Sequence, residues 1–168
     1  MTPTRYAPFF TLMQRLAASP PGACFYARTL HHLDKIVLKL SGGHMTLTSL
    51  VARLPVVMVT TIGAKSGKPR TSPLLCIRDK SDPTTFALIA SNWGQRHYPA
   101  WYFNLKANPH ATCSIASQAG SYVAREAVGE EYERLWRYAA ETYLGYPLYQ
   151  QRAGGRRIPI LVMTPPKA

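Results

Sequence analysis

Apolar residues recur along this chain first at helical spacing and then at strand spacing. Phe9, Leu12, Met13, Leu16 and Ala17 share one helical face, and the SPPG that follows stops that helix. In a second segment Tyr26, Leu30, Leu33, Val37 and Leu40 step along another helical face. Arg28, His31, His32, Lys35 and Lys39 take mainly its other side, and SGG at 41–43 ends it. Two readings of this helix stand. It packs on a core with a solvated polar face, or it lies on an anionic membrane surface.

From Leu54 the pattern becomes that of strands. PVVMVTT (55–61) is β-branched and apolar on both faces, as in a central strand. TSPLLCI (71–77) is the next strand, RDKSDP a turn, and TFALIAS (85–91) a third strand. WYFNLKANP (101–109) reads as a short helix ended by Asn108-Pro109. ATCSI (111–115) and SYVAREA (121–127) form a strand pair, and IPILVMT (158–164) is the last strand. Between them a helix starts near Glu130, with Tyr132, Leu135, Trp136, Ala139 and Tyr143 at helical spacing. Glu130, Glu131 and Glu133 crowd its first turn, where the helix dipole favours them, and Glu130–Arg134 and Glu133–Arg137 stand at i, i+4. Short turns between strands predict an α+β, mainly β fold: a mostly antiparallel sheet or small barrel with helices outside. Residues 1–53 read as a helical extension packed on the sheet domain of 54–168, one compact domain in all.

Charge adds a constraint. The chain of 168 residues carries a formal charge of +12, and residues 1–125 hold 14 of the 20 basic residues against three acidic ones, Asp34, Asp79 and Asp82. Such a field favours an anionic partner: nucleic acid, an acidic membrane or an acidic small molecule. Nucleic acid fits least, because the Lys and Arg residues are spread along the chain instead of concentrated on one element. Cys24, Cys76 and Cys113 are odd in number and widely spaced, and read as small buried hydrophobes. His31, His32, His44, His97 and His110 have no metal-ligand spacing, so no metal is expected. No apolar run reaches membrane-spanning length and no signal peptide is visible, which points to the cytoplasm.

Three stretches carry candidate chemistry. TTIGAKSGKPRTSPL (60–74) sets Lys65, Lys68 and Arg70 between glycines and prolines, with hydroxyls beside them. Gly63 and Gly67 let backbone approach a ligand, consecutive N–H groups there form an anion-binding concavity, and Arg70 can grip a phosphate or carboxylate in a bidentate way. The alternative is a solvated hairpin loop whose charges keep an edge soluble. The loop is neither a P-loop nor a dinucleotide fingerprint, since its spacing is wrong and no helix follows. IASNWGQRHYPAWYFNL (89–105) offers a second anion site at a helix start, with Trp93, Tyr98, Trp101 and Tyr102 placed either to stack on a planar ring or to fill a core. YLGYPLYQQR (143–152) repeats Tyr143, Tyr146 and Tyr149, and Gly145 and Pro147 oppose a continuing regular helix. Those tyrosines either wall a pocket or pack at its rim.

Together these stretches resemble the deazaflavin-dependent nitroreductases, which use coenzyme F420 on the split β-barrel of flavin reductases. That family's pattern runs G-R-K-S/T-G-x-x-R-x-x-P-L, then A-S-x-G-G-x-x-x-x-P-x-W-Y-x-N-L-x-A-N-P, then a tyrosine-rich segment and R-x-I-P. This chain has GAKSGKPRTSPL, ASNWGQRHYPAWYFNLKANP, YLGYPLY and RRIPILV, covering residues 55–165. It departs at Ala64, where the pattern has Arg, and at Trp93, where it has Gly. The resemblance implies a cofactor-binding set of Ala64, Lys65, Ser66, Lys68, Arg70, Thr71, Ser72, Pro73, Leu74, Leu75, Ile89, Ala90, Ser91, Asn92, Ala100, Trp101, Tyr102, Phe103, Asn104 and Tyr146. Within it Lys65 and Arg70 hold the phosphate with backbone help from Ser66 and Thr71 to Leu74, Ser91 and Asn92 lie near the ring, and Trp101 to Asn104 line the groove. Trp93, Tyr143 and Tyr149 would form the substrate pocket, and Tyr143 and Tyr146 would act on the acceptor. The expected reaction is hydride transfer from reduced F420 to a quinone, nitroaromatic or similar electron-poor small molecule. Alternatives are FMN on the same fold, or a non-catalytic cofactor- or anionic-lipid-binding protein, with peripheral contact to the inner face of the cell membrane.

Overall fold

Residues 37, 55–78, 82, 84–115 and 118–166 are described by the structure, a computed structural model. Apart from Val37, which is helical, the two expected N-terminal helices lie outside the described residues, as do the boundary at 53/54, Cys24, the first three histidines and most of RDKSDP. Six strands form at the expected runs: β1 (Val56–Ile62), β2 (Pro69–Arg78), β3 (Phe86–Ile89), β4 (His110–Ile115), β5 (Gln118–Glu126) and β6 (Ile160–Thr164). They close a barrel in the order β1-β2-β3-β6-β5-β4, with β4 returning to β1 and every pair antiparallel, as the sequence predicts.

Two apolar clusters follow from the two-residue period of the strands. Val57 and Val59 of β1, Cys76 of β2, Phe86 and Leu88 of β3, Ala111 and Cys113 of β4 and Leu161 and Met163 of β6 meet in one cluster. Only the barrel interior brings strands from all sides together. The alternate residues, Ile77, Ala87, Ile89, Ile160 and Val162, face a second cluster outside the barrel. That is why β3 and β6 are apolar on both faces. Helix α1 (Ala100–Ala107) contributes Trp101, Tyr102 and Leu105 to the interior cluster. Helix α2 (Gly129–Thr142) lays Tyr132, Leu135 and Ala139 on the outer one. Glu131 of its first turn pairs with Arg125 of β5 through two hydrogen bonds, of 2.5 and 2.7 Å, so part of the acidic cluster joins helix to barrel. Cys76 and Cys113 are buried, as expected, and burial raises their thiol pKa values to about 11 and about 12, which leaves them poor nucleophiles.

The tyrosine-rich segment differs from its expectation. Helix α2 does stop at Thr142, with Tyr143 extended at φ −138°. A proline at 147 would clash with the carbonyl of residue 143 in a continuous helix, which explains the stop. A new helix, α3 (Gly145–Arg152), then begins at once. Pro147 falls in its first turn, where no N–H partner is needed. Tyr146 and Tyr149 therefore stand on a regular helix, not on an irregular wall. Among the described residues no helix is long and apolar enough to cross a membrane.

Candidate active site

Strand β2 pairs with β1 along Pro69 to Leu75, but with β3 only at Cys76, Ile77 and Arg78. One edge of its first half is therefore open. The Cys76 N–H donates to the Pro55 carbonyl, 3.0 Å away on the β1 side. By strand alternation Ser72 and Leu74 also turn toward β1, while Thr71 and Leu75 present their N–H groups to the open edge. Pro73, between those two, has no N–H to leave unpaired, which suits a proline to this position.

A cleft of about 150 Å³ lies against this edge. Val56, Pro73, Leu74, Leu75, Leu88 and Ile89 form its barrel side. Ser91, Asn92, Trp93, Pro99 and Trp101 come from the segment after β3, and Tyr143, Tyr146 and Tyr149 close it from α3 and its entry. The three motifs are brought to one place. Val56 and Leu88 join the lining without having been singled out from sequence, because an apolar residue within a strand carries no local mark of a cleft; Pro99, the proline of the second pattern and the N-cap of α1, joins it too.

The remaining expected residues sit elsewhere. Ala64, Lys65, Ser66, Lys68, Arg70 and Thr71 are exposed on and beside the hairpin loop, and Ser72 is half-buried, all outside the lining. Ala90 is fully buried, Ala100 and Phe103 are exposed, and none of them faces the cleft. Tyr102 belongs to the barrel interior and donates its hydroxyl to Glu126 at 3.1 Å. Burial and that carboxylate raise its pKa to about 12. Tyr98 packs on Tyr102 with ring centroids 5.0 Å apart, so of the four aromatics expected to stack on a ligand, Trp93 and Trp101 line the cleft.

The cationic loop is built differently from the expected N–H concavity. Gly63 N–H donates to Lys68 O, and Ser66 and Gly67 N–H both donate to Gly63 O. Ala64 N–H donates to Asn104 Oδ1 at 3.0 Å, and Asn104 Nδ2 donates to Thr61 Oγ1 at 3.0 Å. Backbone donors are thus spent inside the loop or on α1, and Asn104 is a latch fixing loop to helix. What the loop offers a ligand is side chains. Lys65, Lys68 and Arg70 have no ion-pair partner among the described residues. Arg70 stands three residues along β2 from Pro73, about 10 Å at the strand rise.

Inside the cleft the tyrosines pack edge to face. Tyr143 and Tyr146 have centroids 5.1 Å apart at 87°, and the hydroxyls of Tyr143 and Tyr149 share a hydrogen bond of 3.0 Å. Gly145 makes room for this, since a Cβ there would come within 2.3 Å of the Tyr143 ring. No buried side-chain polar atom among the described residues lacks a partner, yet the hydroxyls of Ser91 and Tyr146 bond to none of those residues. Both residues line the cleft. Burial, with Tyr143 beside them, raises the pKa values of Tyr146 and Tyr149 well above the usual 10.0. Both remain neutral hydrogen-bond donors across the ordinary pH range.

Known proteins share this family and fold. A sequence profile of the family described as F420H(2)-dependent quinone reductase matches residues 32–165. The chain is 34% identical over 113 residues to the F420H(2)-dependent quinone reductase Rv1261c of Mycobacterium tuberculosis, spanning 66% of this chain and 73% of that one. A solved F420-H2 dependent reductase is similar at 39% identity and a TM-score of 0.58, over 65% of this chain and 93% of its own. Another solved structure, a domain-swapped dimer, has the same identity and TM-score over 79% of its length. With an antiparallel barrel, an aromatic cleft on an open strand edge and a cationic loop beside it, the chain belongs to the F420H(2)-dependent quinone reductase family, a family of oxidoreductases.

Proposed function

We propose that this protein passes hydride from reduced F420 to a quinone or nitroaromatic acceptor, with the cleft under Tyr143, Tyr146 and Tyr149 as the place of transfer. The observation that carries this reading is the junction of an aromatic cleft, an open β2 edge and a row of uncompensated cations. A planar ring ending in a phosphodiester and glutamate carboxylates is complementary to that series. Ligand sites generally span about 300–1,000 Å³. A cleft of about 150 Å³ therefore takes the ring end alone, and the charged tail lies outside it along Arg70, Lys65 and Lys68.

When bound, the cofactor supplies the hydride. The chain supplies the rest. Pro73, Leu74 and Trp101 exclude water from the ring end, and the N–H groups of Thr71 and Leu75 are available to its polar edge. The Tyr146 hydroxyl, free to point into the cleft, donates to the acceptor oxygen as negative charge builds there. Only an interaction that strengthens during transfer speeds the step. Tyr143 and Tyr149 hold each other and set the pocket's shape.

Titration with oxidised F420 and separately with FMN tests the cofactor. F420 is expected to bind more tightly, since its carboxylate tail meets cations that FMN leaves unused, and equal affinity would overturn the assignment. Tyr146→Phe is expected to lower turnover about tenfold, the size of one charge-assisted hydrogen bond, while F420 affinity changes by less than about twofold. Tyr143→Phe is expected to lower turnover as well, through loss of its bond to Tyr149. Because these pKa values are raised, no loss of activity from tyrosine ionisation is expected below about pH 10. Wild-type turnover in both variants would leave the tyrosines a role in shape alone.

The 1–53 extension is proposed to pack on the barrel and to bring its 24–40 segment to the inner face of the cell membrane. Support comes from the apolar stripe opposite Arg28, His31, Lys35 and Lys39. Co-sedimentation with liposomes at low salt should then depend on anionic lipid, and no more pelleting with anionic liposomes than without them would leave only the packing role.

A further inference from the structure

The turn that puts Asn92 and Trp93 on the cleft wall has a backbone its residues disfavour. Asn92 has φ 48° and Trp93 φ 58°. Asparagine tolerates the left-handed region, but a tryptophan there is an outlier that the surroundings must enforce. The turn's own backbone bonds are few, Gly94 N–H to Ser91 O and Gln95 N–H to Asn92 O, both at 3.0 Å, and the Asn92 Nδ2 donates to the His97 carbonyl at 3.1 Å.

Arg156, between α3 and β6, reaches both ends of this turn. Its Nη2 donates to Ser91 O at 2.9 Å and to Gln95 O at 3.0 Å, its Nε to Gln95 O at 3.2 Å, and its Nη1 to Ala90 O at 3.4 Å. The guanidinium also lies 4.6 Å from the centroid of the Tyr98 ring. Neither ion pair among the described residues involves it, so this cation is spent on backbone carbonyls. Arg152 adds a bond of 3.3 Å to the Trp93 carbonyl. Arg156 does not line the cleft.

We propose that Arg156 is a positioning residue for hydride transfer, whose planar fork ties Ser91 to Gln95 and so keeps Asn92 and Trp93 on the cleft wall. This rests on the reading of the cleft as the F420 and acceptor site. Without the guanidinium the carbonyls at the two ends of the turn lose their common donor. The turn then relaxes toward ordinary negative φ, and both side chains leave the wall. Lysine cannot replace the fork, since a single ammonium lacks the planar set of five donors.

The test compares Arg156→Ala and Arg156→Lys with the wild type, measuring oxidised-F420 affinity, steady-state kinetics with a soluble quinone, and hydrogen exchange at individual amides. In Arg156→Ala the Gly94 and Gln95 amides should exchange at least about tenfold faster while β3 and β6 keep their protection. The F420 dissociation constant and the quinone KM should rise about tenfold, as for a charge-assisted hydrogen-bond set. Methylguanidinium at low millimolar concentration should restore part of the affinity, and sodium chloride at equal ionic strength should not. Arg156→Lys should fall between, and it stands in if the alanine variant does not fold. Wild-type exchange in the turn overturns the proposal. So does selective loosening of the turn with unchanged F420 affinity and KM, or uniformly faster exchange with unchanged affinity, which marks a merely structural residue. If wild-type protein fails to bind F420, the cofactor reading falls, and the exchange comparison still upholds or overturns the clamp by itself.

Discussion

Gly94→Ala is expected to destabilise the protein by roughly 2–5 kcal/mol, a left-handed backbone cost added to an overpacking cost. Gly94 has φ +76°, and a Cβ built there would lie 2.9 Å from both the Cα and the carbonyl oxygen of Tyr149 and 3.1 Å from the Arg152 Cβ. Two of those three atoms are backbone of α3, so no rotamer change relieves the contact. Either the turn or the helix must move, and Tyr149 moves with the helix. The midpoint of urea denaturation should fall with the slope unchanged. Gly67 is the internal control: its φ is +64°, but a Cβ there would meet nothing within 4 Å. Gly67→Ala should therefore cost only the conformational part, about 1–2 kcal/mol. Equal losses at the two glycines would show that the seat of the turn on α3 is not tight.

Removing both Lys65 and Arg70 is expected to weaken F420 binding about a hundredfold, with stability almost unaffected. Each contact to a phosphate or carboxylate is worth roughly 1.5–3 kcal/mol, about tenfold or more in dissociation constant. Both side chains are exposed and have no ion pair among the described residues, so truncation leaves no buried charge behind. On the proposed reading Ala64, which stands where the related pattern carries another arginine, leaves more of the binding to these two and Lys68. Raised salt should weaken the wild type more than the double variant, because exposed charge pairs are screened within about 10 Å at 0.1 M. Unchanged F420 affinity in the double variant would move the tail of the cofactor off this loop. Asn104 gives the loop its place, through Ala64 and Thr61, so the cations are presented by a latched hairpin instead of a free one.

Much of the framework is legible from local pattern. Continuous apolar runs in PVVMVTT and IPILVMT mark strands; that at 160–164 is buried on both faces, whereas Val56–Ile62 is buried on one face and only half-buried on the other, and Asn108-Pro109 ends α1 close to where the proline demands. The clustering of Lys65, Lys68 and Arg70 beside Gly63 and Gly67 marks an exposed cationic hairpin loop. The tyrosine segment was half legible. Pro147 predicts a break, and the break occurs, but four residues upstream, because the clash of a proline is with the carbonyl of residue 143. Three residues further on, the same proline is harmless in a first turn.

What local pattern leaves open is which polar group meets which. Asn104 reads as groove lining, but it is the latch of the cationic loop, 40 and 43 residues from its partners. Arg156 matches the arginine of the R-x-I-P pattern, but nothing local shows that it holds a turn 61 to 65 residues away. Tyr102 carries the same type of side chain as Tyr146, but its hydroxyl meets Glu126, which also pairs with Lys106, while Tyr146 lines the cleft. Propensity and periodicity act through near neighbours, so the sequence by itself determined the strands, the helices, the punctuation between them and the charge of the loop. Barrel closure decided the open edge of β2, the convergence of three distant motifs on one cleft and the hydrogen-bond partners within it. The physical reason is that each of those depends on strand register and on contacts made across tens of residues, and a buried polar group takes whichever partner closure brings within reach.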